Sequence, residues 1–410
     1  MLPSAARAPW RSALCALALA SCALAADPRP KVRAITAFLD VDAASYNAQY
    51  QDTVKFLNSA REAYKSSGFD VETIRIATQP FSRYTHGMSR DAALALLRSI
   101  DDLGGQLGFT PSIGPAMLND NDDVAAVDLL IDFLAGARRT NASLVTASIE
   151  GIHWNAIRQA ARLIKTVSER SPHSQGNLNF AAIAMLKPYG PFYPGAYHLG
   201  GGKNFSVGLE SANVVEEVFA KEHDPQKAEK ALASALAKHL REAEAVALRV
   251  AASGGWNYAG IDPTPAPLGE VSIGRAIENF TGAPFGSHGT MMASAIITRA
   301  VQAAPVKRVG YSGLMVPVLE DAVLTRRWAE GTYNIDSLLA YSSVCAGGLD
   351  TIPLPGDISE KQLAQILGDV ATLAFKWQKP LAARLLPING KKAGDRTEFE
   401  DNRMANTVIR

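Results

Sequence analysis

The chain has 410 residues, of which 47% are hydrophobic, and its 41 Lys and Arg against 40 Asp and Glu give a formal net charge of +1. This is the composition of a globular protein with enough apolar residues for a sizeable core. A surface that follows nucleic-acid phosphates needs an excess of Lys and Arg, so the composition excludes nucleic acid as a partner.

The first 25 residues have the order of a secretory signal peptide. Arg7 and Arg11 precede an apolar run over residues 13–24, and small residues follow. The segment Ala23-Leu24-Ala25 is typical of a signal peptidase site, which we favour. The segment Leu19-Ala20-Ser21-Cys22 is typical of a lipobox, which would place a lipid anchor on Cys22. Both predict an exported protein, in the periplasm or at the cell surface of a bacterium, and no later stretch is apolar over the length of a membrane span.

Strand-like and helix-like patterns alternate from residue 30 to residue 400. A β-rich run over 31–41 is followed by an amphipathic stretch over 51–68 and a second β-rich run over 71–79. Such alternation predicts parallel strands joined by helical crossovers, in an α/β layered or barrel architecture. No linker or repeat interrupts it, so we predict one domain over 30–400 and a C-terminal tail over 401–410.

The clearest single helix covers residues 224–255. Asp224 can cap it, Pro225 suits its first position, and Gly254 can close it. Leucines recur every four residues and give the helix one apolar face.

A glycine-rich turn precedes a strand-like segment near residue 205. Its backbone N–H groups can receive an anion, so Gly202, Lys203 and Asn204 are candidate substrate-binding residues. The spacing matches neither a phosphate-binding P-loop nor a dinucleotide-binding motif. A flexible hairpin turn without a ligand is the alternative.

Two further polar features lie within residues 255–301. Asp262 is a candidate catalytic residue, because it ends an apolar run and precedes three prolines, at the kind of strand end where α/β folds place functional carboxylates. In GSHGT, Ser287 or Thr290 can cap the apolar helix that follows, whose free N–H groups favour an anion, so both are candidate substrate-binding residues. His288 at this junction is a candidate catalytic residue, and a neighbour of the helix cap is the alternative.

Glu320 and Asp321 end the segment VGYSGLMVPVLED. Adjacent carboxylates point apart on a strand, so they do not automatically form an acid–base pair. Glu320 is a candidate catalytic carboxylate; the alternative is that the two residues begin the next helix.

Cys345 is the only cysteine of the predicted mature domain, so it has no disulfide partner there. Gly347 and Gly348 would let the backbone approach a substrate closely, and Asp350 follows them. A thiol nucleophile needs a base or a cation, and His288 is the candidate base. A small buried packing residue is the alternative.

The seven histidines show no metal-binding spacing, and no cofactor is evident. A divalent metal nevertheless stays open, held by carboxylates that follow strand-like segments. They are Asp262, Glu320, Asp350 and Asp357.

Six segments in this order resemble a family named only as domain of unknown function 711: SVGLESANVV, DPTPAPLGEVSIGRAIE, GSHGTM, VGYSGLMVPVLED, CAGGLDTIPLPGD and GKKAGDRTEF. The similarity extends over most of residues 30–400. It implies a pyruvate formate-lyase-like fold, a ten-stranded α/β barrel surrounded by helices with a hairpin loop inside. In the radical enzymes of that fold the loop tip carries the reactive cysteine, a place that Cys345 could occupy. Cys345-Ala346 departs from the Cys-Gly of bacterial cytosolic members, and the signal peptide is a second departure.

The glycyl-radical reaction does not carry over from this resemblance. The segment Arg308-Val309-Gly310-Tyr311 lacks the spacer residue of the radical motif and lies far from the C-terminus. We therefore predict that the chain is not a glycyl-radical enzyme.

Our leading hypothesis is an exported enzyme that acts on a small substrate inside a barrel, where helix N-termini favour an anion. Cys345 would be nucleophile or acid–base group, with His288 and Asp350 handling protons. Gly347 and Gly348 would border the substrate. The alternatives are a non-catalytic periplasmic binding protein and a metal-dependent hydrolase, and the sequence leaves a homo-oligomer open.

Overall fold

The computed structural model describes residues 29–410. The predicted signal peptide over 1–25 and the lipid anchor at Cys22 lie outside the described residues, so both stay predictions. Within the described range the chain forms ten strands: β1 (Lys31–Leu39), β2 (Val71–Thr78), β3 (Thr110–Pro115), β4 (Asn141–Ser148), β5 (Gly151–Ile152), β6 (Phe180–Ala184), β7 (Asn204–Glu210), β8 (Asn257–Asp262), β9 (Gly348–Pro355) and β10 (Leu381–Ile388).

Twelve α-helices connect these strands or cover them, again counting within residues 29–410. They are α1 (Tyr46–Ser66), α2 (Phe81–Tyr84), α3 (Arg90–Leu107), α4 (Ala125–Leu134), α5 (Trp154–Arg170), α6 (Ala212–Phe219), α7 (Pro225–Gly254), α8 (Ile273–Thr281), α9 (Thr290–Gln302), α10 (Ala322–Glu330), α11 (Ile335–Ser342) and α12 (Glu360–Trp377). A 3₁₀ stretch covers Pro172–Asn179.

Helix α7 confirms the prediction for residues 224–255. The carboxylate of Asp224 accepts hydrogen bonds from the backbone N–H groups of Gln226 and Lys227, and Pro225 opens the helix. The helix ends at Gly254, and Gly255, one residue after the predicted Gly254, closes it in the left-handed conformation with φ 65° that glycine tolerates best.

All ten strands belong to one sheet, in the order β8-β7-β1-β2-β3-β4-β6-β10-β9, with β5 paired to β4. The five strands from β1 to β6 in this order run parallel to their neighbours. Strand β7 pairs antiparallel with β1, and β10 pairs antiparallel with β6. The parallel strands β8 and β9 then extend the two sides. The predicted α/β class and the ten strands are confirmed.

The sheet itself is not closed, because β8 and β9 do not pair with each other. An irregular segment, residues 307–321, lies in this gap and makes one isolated bridge to each side, Ile261 with Arg308 and Pro317 with Asp350. We call it the bridging segment. Val309 N donates to Ile261 O at 3.1 Å, and Val318 N donates to Asp350 O at 3.0 Å. The barrel is therefore completed by irregular backbone rather than by an eleventh strand.

The two faces of the sheet have different partners because side chains alternate along a strand. The outer face is apolar and packs against helices, with α1 on β1 and β2, and α12 on β4, β6 and β10. The inner face carries small or polar residues such as Thr36, Ser112, Ser143 and Ser206, all fully buried. No described helix is long and apolar enough to cross a membrane.

The inner face surrounds the connection between β6 and β7, residues 185–203, which we call the interior loop. Pro191 O accepts a hydrogen bond from Thr36 on β1 at 3.0 Å, and Ala196 O accepts one from Ser112 on β3 at 2.9 Å. The chain must travel here from one side of the five parallel strands to the other, and it does so through the inside. The predicted loop inside the barrel is therefore present, but Cys345 is not on it, since that residue precedes β9.

Candidate functional site

Three strands carry an arginine in an otherwise mainly apolar setting. Arg33 lies on β1, Arg75 on β2 and Arg384 on β10, and each is only 8% exposed. A buried charge is costly unless it is paired and hydrogen-bonded. The partners of these three arginines therefore define the chemistry of the interior.

Two of the arginines share one carboxylate. Arg384 donates from Nε to Asp350 Oδ1 at 2.7 Å and from Nη2 to Glu320 Oε1. Arg33 reaches the other oxygen of Glu320 at 3.3 Å, and its Nη1 lies 3.2 Å from Glu210 Oε2. Glu320 thus stands between two guanidinium groups, and a chain of ion pairs runs from β1 to β9.

Arg75 is different, because no carboxylate of residues 29–410 lies within ion-pair distance of it. Its Nε donates to Thr73 Oγ1 at 3.0 Å, and Nη1 lies 3.5 Å from Pro191 O. The guanidinium carbon lies 4.8 Å from the ring centre of Tyr193 on the interior loop. Burial and the nearby charge of Arg33 lower the pKa of Arg75 to about 10, so the group is still a cation at neutral pH.

These residues line a cavity at the N-terminal ends of β2, β3 and β4, where Thr73, Thr110 and Asn141 stand at its rim. Its empty volume is about 770 Å³, with open solvent at its mouth included. Its charged lining consists of four arginines against two carboxylates: Arg33, Arg75, Arg384, Arg403, Glu320 and Asp350. Carboxylates just outside this lining pair with two of the arginines, Glu72 and Glu210 with Arg33 and Asp401 with Arg403. Among the four arginines, Arg75 is therefore the cation left to receive an anion.

A wider outer pocket adjoins this cavity. It has an empty volume of about 1540 Å³, open solvent included, and shares Leu178, Asn179 and Arg403 with the inner cavity. Arg403 belongs to residues 401–410, which pack onto the domain through a hydrogen bond from Ala405 N to Leu319 O at 2.8 Å. Arg403 therefore stands between the inner cavity and the outer pocket.

The two carboxyl groups that Arg384 contacts, those of Asp350 and Glu320, have pKa values shifted in opposite directions. Burial raises the pKa of Asp350, and the nearby charge of Glu320 adds to the rise against the opposing effect of Arg384. Burial acts in the same direction on Glu320, but Arg384 and Arg33 together outweigh it and lower its pKa. The pKa of Asp350 is thus raised and that of Glu320 lowered, although both carboxyl groups contact Arg384.

Glu320 and Asp350 are candidate catalytic residues in separate segments of the sequence, and the structure brings them together at Arg384. It does not bring Cys345 and His288 together. Cys345 is 1% exposed and lines a separate pocket with Lys379, whereas His288 is exposed on the loop before α9. Burial raises the pKa of the Cys345 thiol, which disfavours the thiolate that a nucleophile needs. The structure therefore does not place His288 where it could act as the base for the Cys345 thiol.

The glycines beside Cys345 serve backbone packing. A Cβ added to Gly347 would lie 3.0 Å from Met315 Cα of the bridging segment. Gly348 has φ 76°, and an added Cβ would lie 2.2 Å from Ala382 O on β10. Both positions require glycine because two backbones approach closely, and neither glycine lines the arginine cavity.

Asp262 has a structural role. Its carboxylate accepts hydrogen bonds from Tyr311 N at 2.7 Å, from Ser312 N at 3.1 Å and from both the N–H and the hydroxyl of Thr264. These bonds hold the bridging segment against β8. Asp357 is exposed after β9, so the four carboxylates of the predicted metal site are not brought together. Among the described residues, no group of three or more His, Cys, Asp or Glu could hold a metal ion.

The remaining predicted residues lie away from the arginine cavity. Thr290 accepts a hydrogen bond from Gly286 N, beside the half-buried Ser287. The glycine-rich turn lies at the start of β7, paired with the far end of β1. There Asn204 donates to the carbonyl oxygens of Gly201 and Gly202, and Lys203 is exposed.

Sequence reasoning missed the arginines and Glu210. One signal was available: an isolated arginine inside an apolar strand, as in KVRAITAFL, VETIRIAT and LAARLLPI, needs a buried partner. Glu210 ends β7, and burial with a hydrogen bond to Glu72 raises its pKa to about 7 in spite of Arg33. Arg403 had no such signal, because it lies outside any strand or helix.

Comparisons with known proteins agree with the resemblance in the sequence. The family model described as Uncharacterised ACR (DUF711) matches residues 25–401. A UPF0210 protein of Pyrobaculum aerophilum is 32% identical over 344 residues, which cover 80% of this chain and 76% of that one. A UPF0210 protein of Desulforudis audaxviator is 30% identical over 367 residues, covering 84% and 80%. Among solved structures, an anaerobic ribonucleotide reductase from Thermotoga maritima, in complex with dATP and CTP, aligns with TM-score 0.40 and 9% identity over 92% of this chain and 79% of that one.

Proposed function

Because the chain belongs to the DUF711 family, whose description names no reaction, we propose a function from its site: the chain is an enzyme that binds a small organic anion in the arginine cavity. The proposal moves the centre of the site from Cys345 to Arg75, Asp350 and Glu320. It keeps the small anionic substrate that the sequence suggested.

The single observation that carries this proposal is the state of Arg75. Its guanidinium is buried and lacks a carboxylate partner among residues 29–410, while it lines an open cavity. Leaving a buried charge uncompensated costs several kcal/mol, roughly, whereas a bound anion would compensate it. The planar guanidinium matches the two oxygens of a carboxylate, and such charge-assisted hydrogen bonds are stronger than neutral ones. We therefore infer a carboxylate ligand.

The carboxyl groups of Asp350 and Glu320, which line the same cavity, favour an enzyme over a carrier protein. Two carboxyl groups with separated pKa values in one site provide a proton donor and a proton acceptor. Asp350 and Glu320 meet this description and line the same cavity as Arg75. A water-restricted interior would strengthen their interaction with a charged ligand.

Thermal-shift and NMR titrations with acetate, malonate and inorganic phosphate test the proposal, at constant ionic strength. We expect at least one carboxylate to stabilise the wild-type protein and Arg75→Met to weaken its binding at least tenfold. Arg98→Met, at an exposed position on α3, is the control and should bind as the wild type does. Equal binding by Arg75→Met, or no stabilisation by any carboxylate, would overturn the proposal. If the protein binds a carboxylate but converts none of the small acids tested, it is a binding protein and not an enzyme.

We further propose export, supported by the leader-like residues 1–25 alone. Residues 1–30 fused to a leaderless alkaline phosphatase should yield active enzyme outside the cytoplasm. Cys22→Ala should leave a soluble exported protein unchanged and should release a lipid-anchored one. An inactive fusion would contradict export.

A further inference from the structure

The carboxyl group of Asp350 keeps one oxygen unused. Oδ1 accepts from Arg384 Nε at 2.7 Å, and no side chain of residues 29–410 donates a hydrogen bond to Oδ2. The backbone N–H of Thr351 also faces this carboxyl group and opposes the rise of its pKa. In Glu320, by contrast, Arg384 holds one oxygen and Arg33 holds the other. Asp350 is therefore the cavity's carboxyl group with an oxygen left for a ligand.

The groups around Asp350 decide whether this oxygen carries a proton. Arg384 contacts it from β10, and Glu320 and Tyr311 face it from the bridging segment. Burial and the charge of Glu320 raise the pKa of Asp350, and Arg384 opposes them. An anion placed beside Asp350 would add a second repulsion and favour the protonated carboxyl further.

Building on the proposed function, we propose that the cavity takes up its carboxylate together with one proton, which Asp350 holds at Oδ2 and donates in a hydrogen bond to the ligand. The ligand's charge is met by the guanidinium of Arg75. Asp350 is then a ligand-contacting residue, and its proton is the one available to a bound substrate. No atom is gained or lost by the ligand in this step, because a proton moves from solvent to Asp350 on binding.

The chemistry follows from the charges that line the cavity. An ionised Asp350 beside an ionised ligand would place two negative groups on the same water-poor surface, which is unfavourable at low dielectric. A protonated Asp350 turns this repulsion into a donated hydrogen bond. The charge of Arg75 does not change in the neutral pH range, because its guanidinium stays a cation there.

Acetate serves as the probe, with its dissociation constant measured by NMR titration from pH 5.5 to pH 8.5. We expect the constant to rise with pH, with a slope that approaches tenfold per unit above the pKa of Asp350 in the free protein. Calorimetry in two buffers of different ionisation enthalpy should show uptake of about one proton per acetate in the upper part of this range.

Two variants at position 350 distinguish the effect of the hydrogen-bond donor from the effect of its titration with pH. Asp350→Asn keeps a donor that does not titrate, so binding should become independent of pH and proton uptake should disappear. Asp350→Ala lacks the donor and should bind weakly at every pH. Glu210→Gln is the matched control, since it removes another carboxyl group whose pKa is raised and which lies beside Arg33, and the pH slope should persist in it.

Each outcome decides between the two proposals. If Arg75→Met abolishes acetate binding while Asp350→Asn keeps the wild-type pH slope, the anion site stands and the role of Asp350 is overturned. If the slope disappears in Glu210→Gln instead, the proton belongs to Glu210 and the proposal is also overturned. If acetate and the other carboxylates fail to bind the wild type, both proposals fall. Far-UV circular dichroism and the melting temperature establish that each variant is folded.

Discussion

Arg384 on β10 binds Asp350 on β9 through Nε and Oδ1 at 2.7 Å, across a parallel strand pair. The same guanidinium donates to Glu320, which belongs to the bridging segment. One side chain thus joins two strands and the irregular segment that fills the gap in the sheet. The site and the completion of the barrel depend on the same arginine.

Arg384→Met should lower the free energy of unfolding by about 3–5 kcal/mol, because it leaves Asp350 and Glu320 as buried carboxyl groups without their shared cation. Urea denaturation measures this loss, and Arg98→Met on the exposed face of α3 should change stability by less than about 0.5 kcal/mol. A loss below about 1 kcal/mol would show that the ion pairs are solvated and not buried.

Arg75→Met should behave in the opposite way when no anion is present. The substitution removes a buried charge that no carboxylate compensates, so the free energy of unfolding should stay the same or increase by up to about 2 kcal/mol. The lost contact with Tyr193 would offset part of this gain. Chemical denaturation in anion-poor buffer is the measurement. A loss comparable to that of Arg384→Met would mean that Arg75 has a structural partner.

Glu210 predicts a definite pH dependence of stability. Its pKa is raised to about 7 in the folded protein, above the ordinary value near 4.5, so the folded state binds the proton more tightly. The stability from this proton is fully present below the unfolded pKa and is lost as the pH rises towards about 7. Relative to Glu210→Gln, the wild type should therefore lose stability between pH 5 and pH 7, by at most about 1.4 kcal/mol per pH unit. A difference that is constant with pH would contradict this assignment.

Cys345 should react slowly with alkylating reagents while the protein is folded. Its thiol is buried and its pKa is raised, so both access and thiolate are restricted. Iodoacetamide labelling followed by mass spectrometry should show modification mainly after denaturation, and Cys345→Ser should lower the unfolding free energy by about 1–3 kcal/mol. Rapid labelling of the folded protein, with protection by a carboxylate, would restore a thiol-centred site.

The fold could be predicted to the extent that local patterns specify it. Alternating strand and helix signals predicted the α/β class, and the cap at Asp224 and the proline after it located α7. Glu320 and Asp350 were visible because each follows a segment whose apolar residues, glycines and prolines indicate a buried turn. The number of strands came from the family resemblance rather than from any local signal.

The arginine cavity could not be predicted, because its contacts join distant parts of the chain. Arg33 meets Glu320 although 287 residues separate them, and Arg75 meets the interior loop 116 residues away. Without a topology, an arginine in a strand can equally face solvent. The same limitation explains why Cys345 and His288 looked like partners. Each lies in a segment rich in glycine and polar residues, but the sequence does not give the distance between the two segments in the folded protein.

The interior loop has a consequence for how the chain tolerates change. Surface connections accept insertions and are cut first by proteases. Residues 190–198 form no regular helix or strand, yet all of them except Tyr193 are buried by the surrounding strands. An inserted residue would have to find room in the lumen, beside Arg75 and against Thr36, and would displace the wall of the cavity. The length of this buried part thus determines the shape of the binding site. Limited proteolysis should leave residues 190–198 intact while it cuts exposed segments of the chain, such as the glycine-rich turn that ends at Lys203.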